Sequence, residues 1–383
     1  MAAEGQRNSG KSGALGGLCV AAVSIGMLAA GPCAARPASG PNGTIVHTAL
    51  GGEILGYDVD RNGSEGILAE YVSVSGGKVN VALETFDQQT GNIIKIVKQI
   101  EDTNDDFVAQ NIVGDGIGLT LFQRSKDGFF KNAYRTLNPL TGNRLTGKWT
   151  PPLGKDELLS SISQNQGSAA TAVMGFQNNG NHQTFLFSSD VAANTFGPRT
   201  TLVDPIFDGF PAMAFDSKTN KAVVAGSIGC RQCIPELALV DLVRGTVDEF
   251  QGIGFGTVNG IAVDSEDGIA VTATEIDFTL EFYNLKTKIG FPVTLRGATS
   301  QAQSGTDVEY DPVNKLFLVG QPFTSTGLSG SSIQVFDTKG NFVESVDGLN
   351  LPVSPTLIAI NPHTRTGFVW VTPTGTELQG FSY

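Results

Sequence analysis

An all-β fold, a seven-bladed β-propeller of four-stranded antiparallel blades, is predicted by two markers that share one count and by a turn-rich composition. The first marker is an apolar or aromatic residue ending a short strand, followed in six of seven copies by Asp or Asn. The copies are Phe86-Asp87, Leu137-Asn138, Ser189-Asp190 (a polar variant), Val240-Asp241, Tyr283-Asn284, Phe336-Asp337 and Phe381-Ser382. They recur at intervals of 51, 52, 51, 43, 53 and 45 residues, the length of one four-stranded sheet in a radially repeated architecture. The second marker falls at the turn between the first two strands of each copy: Gly63, Gly116, Gly167, Asn220, Gly268, Asn314 and Thr366. Composition agrees. There are 48 Gly among 383 residues and only 16% charged residues, and the apolar residues alternate instead of running in long blocks.

The chain opens with a segment that reads as a secretory signal. Arg7 and Lys11 form a positive n-region, Ala14 to Ala30 an apolar h-region, and Cys33-Ala34-Ala35 supplies small residues for cleavage after Ala35. An uncleaved anchor is the alternative, and Pro32 argues against a lipid on Cys33. The expected organisation is a signal peptide at 1–35, a flexible lead at 36–43 and the propeller at 44–383. No later apolar run has the length of a bilayer span. Losing Glu4, Arg7 and Lys11 moves the net charge from −12 to −13. An acidic surface without a basic cluster repels nucleic acid and anionic lipid. Gly5 to Ser12 spells a phosphate-loop pattern, but only four residues precede it, so no strand can deliver that loop to a helix N-terminus.

Each repeat reads as an inner strand, a tight turn, a second strand, a looser connection, a third strand ending at the marker, a turn and an outer strand. The fourth runs Pro211–Asp216, Lys221–Gly226, Leu237–Asp241, Thr246–Phe250. The fifth follows the same plan from Gly260 to Leu295. Small and β-branched residues between Gly, Asn, Asp and Pro are strand-and-turn chemistry. The segment Thr44–Leu50 is a spare strand, and pairing it with Leu378–Tyr383 would complete the seventh blade and close the ring.

Repeats four to seven resemble the YVTN-type propeller repeats of secreted and surface-layer bacterial proteins. The residues that carry this are Ala262-Val-Asp264 with Asp267-Gly268, Tyr310-Asp-Pro312 with Ile333–Asp337, Ala359–Pro362, and Leu239–Leu242 with Gly245–Val247. The YV-T/A-N second strand of that family is missing. The first repeat resembles the calcium loops of FG-GAP/VCBS-type blades. That resemblance implies Ca2+ bound by Asp58, Asp60, Asn62 and the Ser64 carbonyl, with Gly63 at the sharp turn. Gly66 stands where that family has an acid. The alternative is an Asx-rich hairpin turn with no ion.

Two closely spaced thiols remain in the mature chain, Cys230 and Cys233. In an exported protein they suggest a disulfide that stiffens one loop. His47, His182 and His363 fall on separate elements, which disfavours a His-based metal centre or a Ser-His-Asp arrangement. Propellers place binding groups where inner strands begin, and Glu53, Asp106, Asp208, Asn259 and Asp307 fall there, with Glu275 and Asp277 on a neighbouring connection. The expected function is non-catalytic binding of a protein or glycan partner by a monomer, secreted, periplasmic or on the cell surface. The alternative is a metal-dependent hydrolase or lactonase that uses the channel-mouth oxygens.

Overall fold

The computed structural model describes residues 43–75, 78–102, 111–114, 117–126, 129–137, 144–146, 157–164, 170–177, 183–190, 195–202, 211–226, 234–254, 256, 258–274, 279–296, 307–321, 331–349, 357–371 and 375–383. Every regular element among them is a strand, and the strands pair antiparallel. The described residues include no helix long and apolar enough to cross a membrane.

The first sheet is Glu53–Val59, Glu65–Ser75, Lys78–Asp87 and Ile93–Asp102. The second is Asn111–Gly114, Ile117–Lys126, Phe129–Leu137 and Arg144–Thr146. The third begins Glu157–Gln164, Ala170–Gln177, Thr184–Asp190. The fourth is Ala212–Asp216, Lys221–Gly226, Glu236–Asp241 and Thr246–Gln251, and the fifth is Val258–Asp264, Ile269–Thr274, Thr279–Asn284 and Ile289–Thr294. The sixth is Val308–Asp311, Leu316–Gln321, Ser331–Asp337 and Phe342–Leu349. The seventh is Ile358–Asn361, Thr366–Trp370 and Glu377–Ser382, with Ile45–His47 on its outer edge. Ile45, Val46 and His47 pair with Gln379, Leu378 and Glu377.

The third sheet departs from the four-stranded plan. Its outer edge is two short strands, Thr195–Phe196 and Thr200–Thr201, both on Thr184–Asp190. Pro198 between them has no N–H to donate, so the ladder breaks there.

Adjacent sheets share apolar cores. Met174, Leu186 and Leu202 of the third pack with Met213, Phe215 and Val224 of the fourth. Fourth and fifth meet through Leu237, Ile261 and Tyr283, fifth and sixth through Phe282, Tyr310 and Phe317. Sixth and seventh meet through Val335, Ile360 and Phe381. Seventh and first meet through Phe368, Leu378, Val46, Leu68 and Phe86. Each such buried side chain contributes about 1.5–3 kcal/mol.

The sequence markers now have physical causes. In the first and seventh sheets the aromatic of the first marker packs against a glycine of the second strand. A Cβ on Gly66 would sit 2.1 Å from Phe86, and one on Gly367 would sit 2.5 Å from Phe381. The Asp or Asn that follows folds the next turn, because its side-chain oxygen accepts backbone N–H groups two and three residues on. Asp241 accepts from Val243 (3.0 Å) and Arg244 (2.9 Å), and Asn284 from Lys286 (3.1 Å) and Thr287 (2.9 Å). A second Asx residue does the same between the first two strands: Asp216, Asp264, Asp311 and Asn361. The left-handed residue of that turn is the marker itself at Asn220 and Gly268, and its neighbour Lys315 or Arg365 where the marker is Asn314 or Thr366. Asn314 is turned to other use, described below, and Thr366 already opens the second strand.

Candidate functional site

In an antiparallel meander the turn between strands one and two and the turn between strands three and four lie at the same end. At that end the first–second turns of neighbouring sheets are bonded to one another. Ser217 N–H donates to Ser265 Oγ at 2.9 Å and Lys218 Nζ to the Glu266 carbonyl at 2.6 Å, which joins the fourth sheet to the fifth. Lys315 Nζ reaches Asp267 at 3.2 Å, joining fifth and sixth. Asn314 Nδ2 donates to the Pro362 carbonyl at 3.0 Å, joining sixth and seventh. Asn361 Nδ2 then donates to the Asp60 and Gly63 carbonyls (3.2 and 2.9 Å), joining seventh and first. The result is a belt of turns held in register from the fourth sheet round to the first.

Apolar side chains stand out beside this belt. Val313 (51% exposed) sits in one of its turns and Val243 (66%) in the third–fourth turn of the fourth sheet at the same end, while Ile289 (69%) and Val343 lie where two outer strands begin. Each of these turns is pinned by its own Asx bonds, and that of Val313 also by the bond of Asn314 to Pro362, so these side chains sit on braced backbone.

The loop predicted to hold calcium lies on the belt. Asp60 Oδ1 accepts the Asn62 N–H (2.9 Å), and Asp58 Oδ1 accepts that of Val59 (2.8 Å). The Ser64 carbonyl, expected as a ligand, accepts the Gln88 N–H at 2.8 Å. Gln88 Nε2 also donates to the Asp60 carbonyl at 2.9 Å, and Asn62 Oδ1 meets His363 Nε2 at 3.2 Å. Among the described residues no three His, Cys, Asp or Glu side chains cluster as metal ligands. Asp58 Oδ1, Asp60 Oδ1 and the Ser64 carbonyl thus each accept a backbone N–H, as in an Asx-type hairpin turn.

At the opposite end are the expected rim residues. Glu53 is exposed at the start of the first sheet, and Asn259 is half-buried at a bulge between Val258 and Gly260. Asp307 is not a free rim acid. Its carboxylate accepts the N–H of Ile358, the first residue of the seventh sheet, and that of Val308, at 2.8 and 2.9 Å. Burial, with nearby Glu309, pushes its pKa up to about 7 against those two bonds. Tyr57 lies beside it; its hydroxyl donates to the Leu357 carbonyl and accepts the Trp370 N–H at 2.8 Å. Burial raises the Tyr57 pKa well above the usual phenol value. Asp106, Asp208, Cys230, Cys233, Glu275, Asp277 and His182 lie outside the described residues, as does the predicted signal peptide.

Sequence reading missed an ion pair that crosses between sheets. Arg61 Nη2 of the first sheet's turn meets Glu309 of the sixth sheet's inner strand at 2.6 Å, both about one-fifth exposed. Burial opposes the Arg61 charge, but Glu309 and Asp58 outweigh it and raise its pKa. Only a residue-level alignment of the inner strands would bring positions 61 and 309 together. Spacing along the chain carries no such signal.

No family model matches the chain, and no curated protein matches it either. Solved propellers do. The Myceliophthora thermophila Cps50 (Swd1) β-propeller domain aligns with a TM-score of 0.59 at 10% identity, over 89% of this chain and 99% of that one. The Neurospora crassa Pan2 WD40 domain gives 0.58 at 12%, over 88% and 94%. The Dos1 propeller gives 0.58 at 13%, over 90% and 95%. Likeness at this identity shows the fold alone: a β-propeller. The Pan2 neighbour is a WD40 domain and the other two are propellers, so the YVTN- and FG-GAP-type resemblances of the sequence gain no support from them.

Proposed function

We propose that this protein is an exported, monomeric, seven-bladed propeller, closed by Ile45–His47 on the last blade, that binds a protein or glycan partner without catalysing a reaction. The belt of bonded turns carries the reading. It supplies a preorganised face with apolar side chains on fixed backbone, and preorganisation lowers the entropy cost of binding. The WD40 likeness supports an interaction role, since a propeller is a rigid frame for loops. A Cys230–Cys233 disulfide would stiffen one loop. The hydrolase alternative loses ground because Asp307, one of its acids, is committed to two backbone N–H groups.

The test is site-specific photo-crosslinking in the producing cell. Crosslinkers at Val243 and Ile289 are expected to give discrete adducts, while one at Ile94, exposed on the first sheet's outer strand, gives none. Equal labelling at all three sites, or ester or lactone hydrolysis by the purified mature chain with a divalent metal, overturns the proposal. N-terminal sequencing of the exported form is expected to start at Arg36.

A further inference from the structure

The first sheet buries two carboxyl groups that no role assigned so far uses. Glu70 and Glu84 lie on its second and third strands, both with no exposed surface. Leu68 pairs with Glu84 and Glu70 with Ala82, so the two carboxyls share one face, the one that packs on the seventh sheet through Leu68 and Phe86. Between them they hold the loop that leads from Ile45–His47 on the seventh sheet to Glu53–Val59 on the first. Glu84 Oε2 accepts the Ala49 N–H at 2.9 Å and Glu70 Oε2 that of Leu50 at 3.2 Å, while Glu70 Oε1 accepts that of Gly52. Thr48 Oγ1 donates to the Gly52 carbonyl at 3.1 Å.

Three of the four carboxyl oxygens therefore have backbone donors. The fourth, Glu84 Oε1, is buried with no donor facing it among the described residues. A buried carboxylate oxygen without a donor is costly, and two adjacent buried carboxylates repel. One proton on Glu84 Oε1, donated to Glu70, removes both costs.

We propose that Glu70 and Glu84 share a single proton and form a proton-dependent clasp on residues 49–52, which fastens the closing strand Ile45–His47. This rests on the reading of that strand as the ring's closure. Burial and the bond to Glu70 raise the Glu84 pKa, in the same direction. Among the described residues the packed elements carry few other charges. His47 and Glu377 pair with each other at 3.1 Å on the outer strands, and Glu53 is exposed beyond the loop. Glu70 is the charge that acts on Glu84. Losing the proton leaves two buried negative charges facing each other, and the clasp opens.

Hydrogen exchange of the whole chain, with protection factors corrected for intrinsic rate at each pH, tests this. In the wild type, protection of residues 45–52 is expected to fall about tenfold per pH unit once the pair loses its proton, while Ile269–Thr274 keeps its protection. Glu84→Gln, whose amide can donate to Glu70 and whose oxygen accepts from Ala49, should hold that protection flat with pH. Protection of 45–52 that is high and independent of pH in the wild type overturns the clasp alone. Low protection of 45–52 at every pH in both proteins overturns the closure reading with it. If Glu84→Gln does not fold, carbon NMR of carboxyl-labelled wild type decides: a neutral Glu84 at pH 6 supports the clasp, and an ionised one refutes it.

Discussion

Replacing Asn361 by alanine isolates the bonds that join the last sheet to the first. Asn361 is 2% exposed. Its Nδ2 donates to the Asp60 carbonyl (3.2 Å), the Gly63 carbonyl (2.9 Å) and Gln88 Oε1 (3.0 Å). Its Oδ1 accepts the N–H groups of His363 (3.1 Å) and Thr364 (3.3 Å). After Asn361→Ala the Asp60 carbonyl keeps the bond from Gln88 Nε2, but the Gly63 carbonyl and Gln88 Oε1 lose their Asn361 donor. Each buried orphan costs about 1–3 kcal/mol, so a total near 3 kcal/mol is expected. At about 2.1 cal/mol/K per residue over roughly 340 residues, that corresponds to a Tm lower by about 4 °C. Urea unfolding followed by tryptophan fluorescence measures the free energy directly. Asp337→Ala is the control. Its Oδ1 accepts from Lys339 and Asn341 in an exposed turn, where water replaces the lost acceptor and about 1 kcal/mol or less is expected. If Asn361→Ala costs no more than Asp337→Ala, the belt does not couple the seventh sheet to the first.

Three more outcomes follow from the geometry. Asp307 has a folded-state pKa near 7, above the unfolded value of about 3.9. The folded chain therefore holds the extra proton, and its contribution to stability is greatest at the acid end and declines as pH rises from about 4 to 7; Asp307→Asn should flatten that part of a urea-midpoint profile. A double-mutant cycle on Arg61→Gln and Glu309→Gln should give a coupling of about 1–2 kcal/mol, and a value near zero would make the pair incidental. Adding calcium to the mature protein should leave its melting temperature unchanged, and a rise that Asp60→Ala abolishes would restore the loop at Asp58–Ser64 as an ion site.

The architecture was legible because its signals are local. An apolar residue closing the third strand, then in six of seven copies an Asx that can fold the next turn, recurs with the four-stranded sheet, and Phe86-Asp87 to Phe336-Asp337 record it. The Asx residues carried two readings at once. Oxygen-rich turns are written alike whether they serve a cation or the backbone, and at Asp60 the backbone side of that pair is the one with visible partners, Gln88 and Asn361 on its carbonyl. Asp307 lay at the strand entry where it was expected, yet its role depends on Ile358, 51 residues on. Glu70 and Glu84 were hidden for a similar reason. In an alternating strand they look like outward charges, and only the packing of the seventh sheet buries them.

The distance along the chain between Asn361 and the turn it grips has a bearing on biosynthesis. The Asp60 and Gly63 carbonyls are made early, yet their donor is synthesised about 300 residues later. At roughly 5–20 residues per second, that is an interval of some tens of seconds in which the first hairpin must persist without its final neighbour. An early sheet left uncovered for so long is a natural client for a chaperone. A synonymous slowing of translation just before codon 358 would lengthen that exposure.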